Sequence, residues 1–246
     1  MEQRDFKPNM DRLRSDVNVA IATPMLSDLC TKTYTISLAQ TVREFAIAKI
    51  RLSILMNVGH SIAQARNRLV STFMAHEQFT HLLFIDNDHG WSPMNIVRLL
   101  EMDKDVVGVV ARKKTEEVLW AANIPNVPTV IDHTGAMEIL GEIGTGFLLI
   151  KRSTFTRMFM MYPELARQHP DENASKAGKE NYYALFAVGA DHKGREWSED
   201  LVFCKRWKHL KGAKIWCDPG ASISHIGTYD YKGALSDSLF GEEAND

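Results

Sequence analysis

The chain has 246 residues, of which 45% are hydrophobic and 24% charged, with a formal net charge of −2. That length accommodates one large or two small domains with an ample core. A near-neutral charge removes any global electrostatic drive toward nucleic acid or an anionic membrane and leaves only local basic patches for such partners. Three cysteines, Cys30, Cys204 and Cys217, lack metal-ligand spacing and cannot all pair internally, which predicts buried thiols in a reducing, cytoplasmic setting. Charges at Glu2, Arg4, Asp5 and Lys7 with no apolar segment behind them predict no signal peptide. No run reaches the roughly 18 apolar residues of a membrane span.

Residues 1–16 are polar and read as a frayed N-terminus. Val17 to Ala22 is a first strand, stopped by Thr23-Pro24, and a loop follows to about Tyr34. Ile36, Ala39, Val42, Phe45 and Ala46 have the spacing of one helix face, and Ile50, Leu52, Ile54 and Met56 alternate as a second strand. Ser61-Ile62-Ala63-Gln64 is a capping-box pattern; the helix it opens carries Ile62, Leu69, Val70 and Phe73 on one face and ends near His76. Thr80 to Ile85 is apolar on both faces, as in a buried parallel strand. Ser92 and Pro93 suit the N-cap and first position of a helix to Met102, and a strand follows from Asp105 to Ala111. This β-α-β-α-β-α-β order predicts a mainly parallel sheet flanked by helices.

The pattern then changes. Residues 112–128 form a loop with Arg112, Lys113, Lys114, Trp120 and two prolines, and His133-Thr134-Gly135 signals a hairpin. Phe147 to Ile150 is a strand behind Gly144-Thr145-Gly146, and Ser153 caps a short helix. Residues 163–181 read as a mobile surface loop and Tyr182 to Val188 as a strand. Ser198 and Gly212 bracket a helix from Glu199 to Lys211. Lys214 to Cys217 and Ser222 to Ile226 are further strands, and residues 232–246 form an acidic C-terminal tail. With no repeat, low-complexity run or linker, residues 17–231 read as a single domain.

The chemistry concentrates at Asp86-Asn87-Asp88. These residues follow the buried strand, at the sheet edge where open α/β folds bind ligands. On an extended chain alternate side chains share a face, which would aim Asp86 and Asp88 at one ligand. Two adjacent carboxylates need a cation between them, and a divalent ion holding phosphate oxygens is the natural one. Capping of the next helix belongs to Ser92, so the aspartates are not required for it. Elsewhere each signal has two readings. Glu199-Asp200 suits either a helix dipole or a general base; Arg66 suits a diphosphate or an ordinary helix surface; His225 suits a ligand or a satisfied strand histidine. Gly144 and Gly146 permit close backbone approach or simply begin a strand. There is no Gly-x-x-x-x-Gly-Lys phosphate loop and no Gly-x-Gly-x-x-Gly after an early strand, so a dinucleotide site is not expected.

Taken in order, Thr23-Pro24, Ala65-Arg66-Asn67, Asp86-Asn87-Asp88, Gly144-Thr145-Gly146-Phe147, Ser198-Glu199-Asp200-Leu201, Asp218-Pro219 and His225 resemble the glycosyltransferases of the GT-A fold, family 2-like, over about residues 17–230. The resemblance implies a nucleotide-diphosphate sugar donor and Mn²⁺ or Mg²⁺. It places Ala22, Thr23 and Pro24 at the nucleoside, and Arg66, Asn87, Gly146 and Trp197 along the donor. It gives Asp86, Asp88 and His225 to the metal, with Asp86 nearer the ribose. Asp200, seconded by Glu199, would be the base that activates an acceptor hydroxyl in an inverting enzyme. The acceptor stays open between a glycan, a small molecule and a modified nucleic-acid base. The last of these would use Lys113-Lys114, the Lys205, Arg206, Lys208 and Lys211 helix face, and Trp120 and Trp197, which read equally as a solvated helix face and core tryptophans. Two other functions fit the same residues: a metal-dependent nuclease or phosphotransferase with ions held by Asp86, Asp88, Glu199 and Asp200, and a non-catalytic sugar-nucleotide-binding module.

Overall fold

Strands apolar on both faces make the centre of the molecule. The computed structural model describes residues 7–124 and 130–240. The start of the N-terminal segment (1–6), the proline-bearing end of the 112–128 loop (125–128) and the last residues of the acidic tail (241–246) lie outside the described residues. In chain order the elements are α1 (Met10–Ser15), β1 (Asn18–Met25), α2 (Lys32–Ala48), β2 (Arg51–Val58), α3 (Ile62–Ala75), β3 (His81–Ile85), β4 (His89–Gly90), α4 (Pro93–Met102), β5 (Val106–Gly108), β6 (Met137–Glu138) and β7 (Phe147–Lys151). There follow α5 (Arg152–Met161), α6 (Lys176–Glu180), β8 (Gly189–Ala190), β9 (Glu196–Trp197), α7 (Glu199–Lys208), β10 (Trp216–Cys217), β11 (Ser224–Ile226), β12 (Asp230–Tyr231) and α8 (Leu235–Phe240).

The expected class holds: this is a mixed α/β fold around one seven-stranded sheet in the order β2-β1-β3-β7-β5-β10-β6. All strands run one way except β7, antiparallel to β3 and β5, and β6, antiparallel to β10. Helices cover both faces. Leu69 and Phe73 of α3, Phe155 of α5, and Phe203 and Trp207 of α7 pack on one. Leu13 of α1, Phe45 of α2, and Ile96 and Leu99 of α4 pack on the other. Each such buried side chain stabilises the fold by about 1.5–3 kcal/mol relative to exposure. The insertion of β7 shapes the edge at which β3 ends. Its ladder pairs Ile85 with Phe147, so the turn before β7 arrives beside the end of β3, and the Asp86 N–H donates to the Gly146 carbonyl at 3.0 Å. A second sheet, β12-β11-β4, stands at the same edge.

Several boundaries differ from expectation for identifiable reasons. β1 runs through Thr23-Pro24 to Met25; beyond Ala22 it pairs only with β2, where a missing proline N–H is tolerated. The buried face of α2 is Tyr34, Ser37, Thr41 and Phe45, whereas Ile36 and Val42 are exposed. The two hydroxyls are buried because Trp91 uses them: its N–H donates to Ser37 and its indole N–H to Thr41, both at 2.9 Å. Ser153 does not cap α5, because β7 passes into it without a loop; Arg152 anchors that junction by donating to the carbonyls of Phe73, Met74, His76 and Phe79. Residues 10–15, read as frayed, form α1 with Leu13 buried, and Leu235 of the acidic tail, the first residue of α8, is buried in the core. The hairpin at His133-Thr134-Gly135 is present: Ile131 pairs antiparallel with Met137, and Gly135 takes a φ of 83°.

Residues 163–181 are not a free loop and 182–188 are not a strand. Ser71 donates to the Gly178 carbonyl at 2.6 Å, docking α6 on α3. Asn67 substitutes for a strand neighbour: its amide donates to the Phe186 carbonyl at 2.8 Å and accepts from the Phe186 N–H at 2.9 Å. Asn67→Ala strands both buried backbone groups, so stability is expected to fall by roughly 1–3 kcal/mol in urea unfolding. An unchanged midpoint would show that water replaces the amide.

Candidate metal and catalytic site

β3 ends at Ile85, and there the chain turns: the His89 N–H donates to the Asp86 carbonyl at 3.1 Å. The alternation expected of an extended chain therefore does not apply, and Asp86 and Asp88 have different partners. Asp86 accepts from Arg66 Nη2 at 2.9 Å. Asp88 lies against Lys114, with Nζ 2.5 Å from Oδ2. The two carboxylates are neutralised by separate cations, not by a shared one.

Among the described residues, the group of side chains that could hold an ion is Asp88, His89 and His225, with ligand atoms all within 4.8 Å of one another. Asp86, expected as a ligand, is not in it; His89, which no sequence pattern marks, is. Strand pairing explains this membership. β4 and β11 are antiparallel, with His89 directly opposite His225. The two rings stack, with centroids 4.5 Å apart and planes 18° from parallel. His89 Nδ1 lies 3.0 Å from Asp88 Oδ1, and His225 Nε2 lies 3.7 Å from Asp88 Oδ2. His225 Nδ1 donates to the Arg112 carbonyl at 2.8 Å, the usual outer hydrogen bond of a ligating histidine, and Nε2 is the ring nitrogen turned toward Asp88. His89 Nε2 is buried without a hydrogen-bond partner among the described residues. An orphaned imidazole nitrogen and a mixed donor set of one carboxylate and two imidazoles fit a first-row divalent ion, Mn²⁺ better than the oxygen-seeking Mg²⁺.

A second constellation joins the first through Arg66. Its side chain is only 3% exposed and reaches Glu199 Oε1 as well, 3.6 Å from Nε, while Nη1 donates to the Thr145 carbonyl at 3.4 Å. This places the first turn of α7 beside the end of β3. Asp200 Oδ1 accepts from the Leu201 N–H at 2.7 Å and from the Ser198 hydroxyl, so Ser198 caps its neighbour's carboxylate rather than the helix. Asp200 Oδ2 lies near Gly144, 3.9 Å from where a β-carbon there would stand. Gly146 has a steric reason: a β-carbon would come within 2.9 Å of both Asp86 Oδ2 and His89 Cε1. Thr145 Oγ1, buried and unpartnered, is a further polar atom at this turn.

The remaining expected donor residues are spread over β1, the Asp86 turn and β9. Ala22, Thr23 and Pro24 are all buried, and the Thr23 hydroxyl is 2.5 Å from that of Tyr34. Asn87 donates to the Leu29 carbonyl at 2.7 Å and its own carbonyl accepts from the Thr31 N–H at 2.9 Å, fastening the loop after β1 to the Asp86 turn. Asn57, in register with Pro24, has a buried Oδ1 without a partner. Trp197 packs under Lys205, whose Nζ is 4.7 Å from the ring centroid. The basic face of α7 is largely engaged: Arg206 donates to the Ala184 and Leu185 carbonyls, and Lys208 to that of Leu140. Asp218 is buried and held by both arms of Arg98, at 2.5 and 2.7 Å, a structural pair.

No protein-family model matches this chain, and no curated protein does. Among solved structures it is similar to A197 from STIV, with a TM-score of 0.51 at 15% identity, covering 86% of this chain and 86% of that one. A glycosyltransferase involved in the glycosylation of the major capsid of PBCV-1 aligns with a TM-score of 0.35 at 11% identity, covering 62% of this chain and 68% of that one. The first likeness is one of fold alone; the second is too slight to carry an argument. Among the described residues no helix is long and apolar enough to cross a membrane.

Burial pushes the Asp88 carboxyl up, but His225, His89 and Lys114 outweigh it and hold the group well below the usual carboxylate range. A carboxyl depressed on folding contributes stability that is present above its unfolded pKa, about 3.9, and is lost as pH falls below it. Asp88→Asn is expected to flatten the acid limb of the stability curve below about pH 4. Parallel limbs in wild type and variant would mean that Asp88 titrates normally.

Proposed function

We propose that the chain is a metal-dependent glycosyltransferase of GT-A type. It would move a sugar from a nucleotide-diphosphate sugar to an acceptor hydroxyl, with residues 17–231 acting as one catalytic unit in a reducing, cytoplasmic setting. The reading rests above all on one observation: the Asp88, His89 and His225 group stands at the end of β3, and the buried Arg66 ties that same turn to Glu199 at the start of α7. The end of β3 and the Glu199-Asp200 pair are thereby neighbours.

Asp88, His89 and His225 would hold Mn²⁺. When bound, the ion would supply positive charge to the departing diphosphate. Asp86 and Asn87 would face the ribose, and Ala22, Thr23 and Pro24, buried in β1, would form the floor beneath the nucleoside end. Gly146, with no β-carbon, lets Asp86 and His89 pack against the turn that would border the donor. Trp197 would border the sugar. Arg66 holds Glu199 and Asp86 in place. Asp200 would take the acceptor hydroxyl's proton in an inverting transfer, using the oxygen that Ser198 and Leu201 leave open. The acceptor class spans glycans, small molecules and a modified nucleic-acid base.

A thermal-shift screen of sugar nucleotides with Mn²⁺ tests the donor, since a ligand that binds only the native state raises apparent stability. With the stabilising donor in hand, Asp200→Asn is expected to bind it normally and to transfer roughly 10²–10⁴ times more slowly. Full turnover by that variant would remove the base role. Failure of every sugar nucleotide to stabilise the protein would remove the donor class.

A further inference from the structure

The Asp88 carboxylate already has a cation beside it. Lys114 Nζ stands 2.5 Å from Oδ2, the oxygen that His225 Nε2 approaches to 3.7 Å. An ion ligated by Asp88 and His225 needs this same space. The ammonium and a divalent ion repel, so the two cannot share the oxygen at close range.

The placement of Lys114 is built rather than incidental. Its loop is fastened to the small sheet two residues earlier, where the Arg112 carbonyl accepts from His225 Nδ1 and the Arg112 guanidinium carbon lies 5.7 Å from the Tyr231 ring centroid. A backbone hydrogen bond from Lys113 to the Leu119 carbonyl, 2.7 Å long, fixes the intervening residue. The lysine stem then crosses Gly227, where a β-carbon would come within 2.9 Å of Lys114 Cδ. A glycine at that position leaves the stem its track. The side chain is 37% exposed, so its charged end can leave Asp88 and remain solvated. Loop 112–114 therefore brings the ligand His225 and a competing cation to the same carboxylate.

We propose that Lys114 is a resident counter-ion of this site: it neutralises Asp88 while the ion is away, and transfers its ammonium to diphosphate oxygens when ion and diphosphate arrive together. The inference rests on the metal–diphosphate reading of the site. A half-buried carboxylate with an imidazole beside each oxygen is stabilised by a positive partner. Before loading, the lysine provides it; after loading, the ion provides it and the diphosphate gives the lysine a new anionic partner. The consequence is coupling: Lys114 opposes the ion alone and favours the ion together with diphosphate, so each ligand raises the affinity for the other.

The test titrates the full chain with Mn²⁺ by electron paramagnetic resonance, alone and with inorganic pyrophosphate. It compares wild type with Lys114→Met, which keeps an unbranched stem over Gly227, and with Lys114→Gln, which keeps a polar end. Both variants are expected to bind Mn²⁺ alone more tightly, and the Mn²⁺–pyrophosphate complex more weakly, than wild type. The two changes together should fall within the roughly 5–150-fold range of site-to-site coupling. The opposite signs are the signature. Both affinities unchanged would make the ion pair a surface contact. Both lowered would make it structural support, and both raised would make the lysine a simple block with no role toward diphosphate. Each of these overturns the proposal while leaving the metal site standing. If wild type and variants alike bind no Mn²⁺, the metal reading falls and the lysine's role falls with it.

Discussion

The site depends on one buried charge. Arg66 lies inside the molecule, against the Phe84 ring at 5.1 Å, where an unpaired guanidinium would be strongly destabilising. Its partners come from three other places in the fold: Asp86 after β3, the Thr145 carbonyl before β7, and Glu199 at the first turn of α7. Removing it would leave the Asp86 and Glu199 carboxylates without their shared counter-charge, so the charge and its partners stand or fall together. By holding Asp86 to one side of the turn, Arg66 also leaves Asp88 as the carboxylate that faces the histidines.

The second constraint is strand register. His89 and His225 are distant in sequence, and the antiparallel pairing of β4 with β11 sets them opposite each other on one face. A slip of one residue would send one ring to the other face. Gly90, next to His89, helps to pin this arrangement. A β-carbon there would come within 2.2 Å of Thr33 Cγ2 in α2, so only glycine lets the short strand lie so close to the helix. The Asp88, His89 and His225 group is thus held by the sheet–helix packing of the small sheet, and the Asp86 and Glu199 carboxylates by Arg66, with the Asp86–His89 turn common to both.

Much of this is legible in the residues. The buried run His81–Ile85, the Ser92-Pro93 helix start and the strand behind Gly146 come from local pattern, and they locate the sheet edge where Asp86 and Asp88 sit. Local pattern fails where a partner distant in sequence decides the outcome. The antiparallel insertion of β7 between β3 and β5 reflects no property of Phe147–Lys151 alone. Burial of Ser37 and Thr41 depends on Trp91, and the order in residues 163–188 depends on Ser71 and Asn67 of α3. His89 escapes notice because a histidine directly after an Asp-x-Asp has no periodicity to mark it; its register with His225 emerges only once β11 is paired. A usable signal is present in the dense run Asp86-Asn87-Asp88-His89, four polar residues at the mouth of a buried strand.

In the proposed site, Asp88, His89 and His225 hold a divalent ion through two imidazole nitrogens. Pulsed electron paramagnetic resonance of Mn²⁺ bound to the full chain measures this directly, since a ligating ¹⁴N modulates the electron spin echo. The account predicts nitrogen modulation in wild type, reduced in His89→Ala and in His225→Ala and absent when both are replaced. Bound Mn²⁺ showing only water and carboxylate oxygen around it, with no nitrogen modulation in wild type, would contradict it.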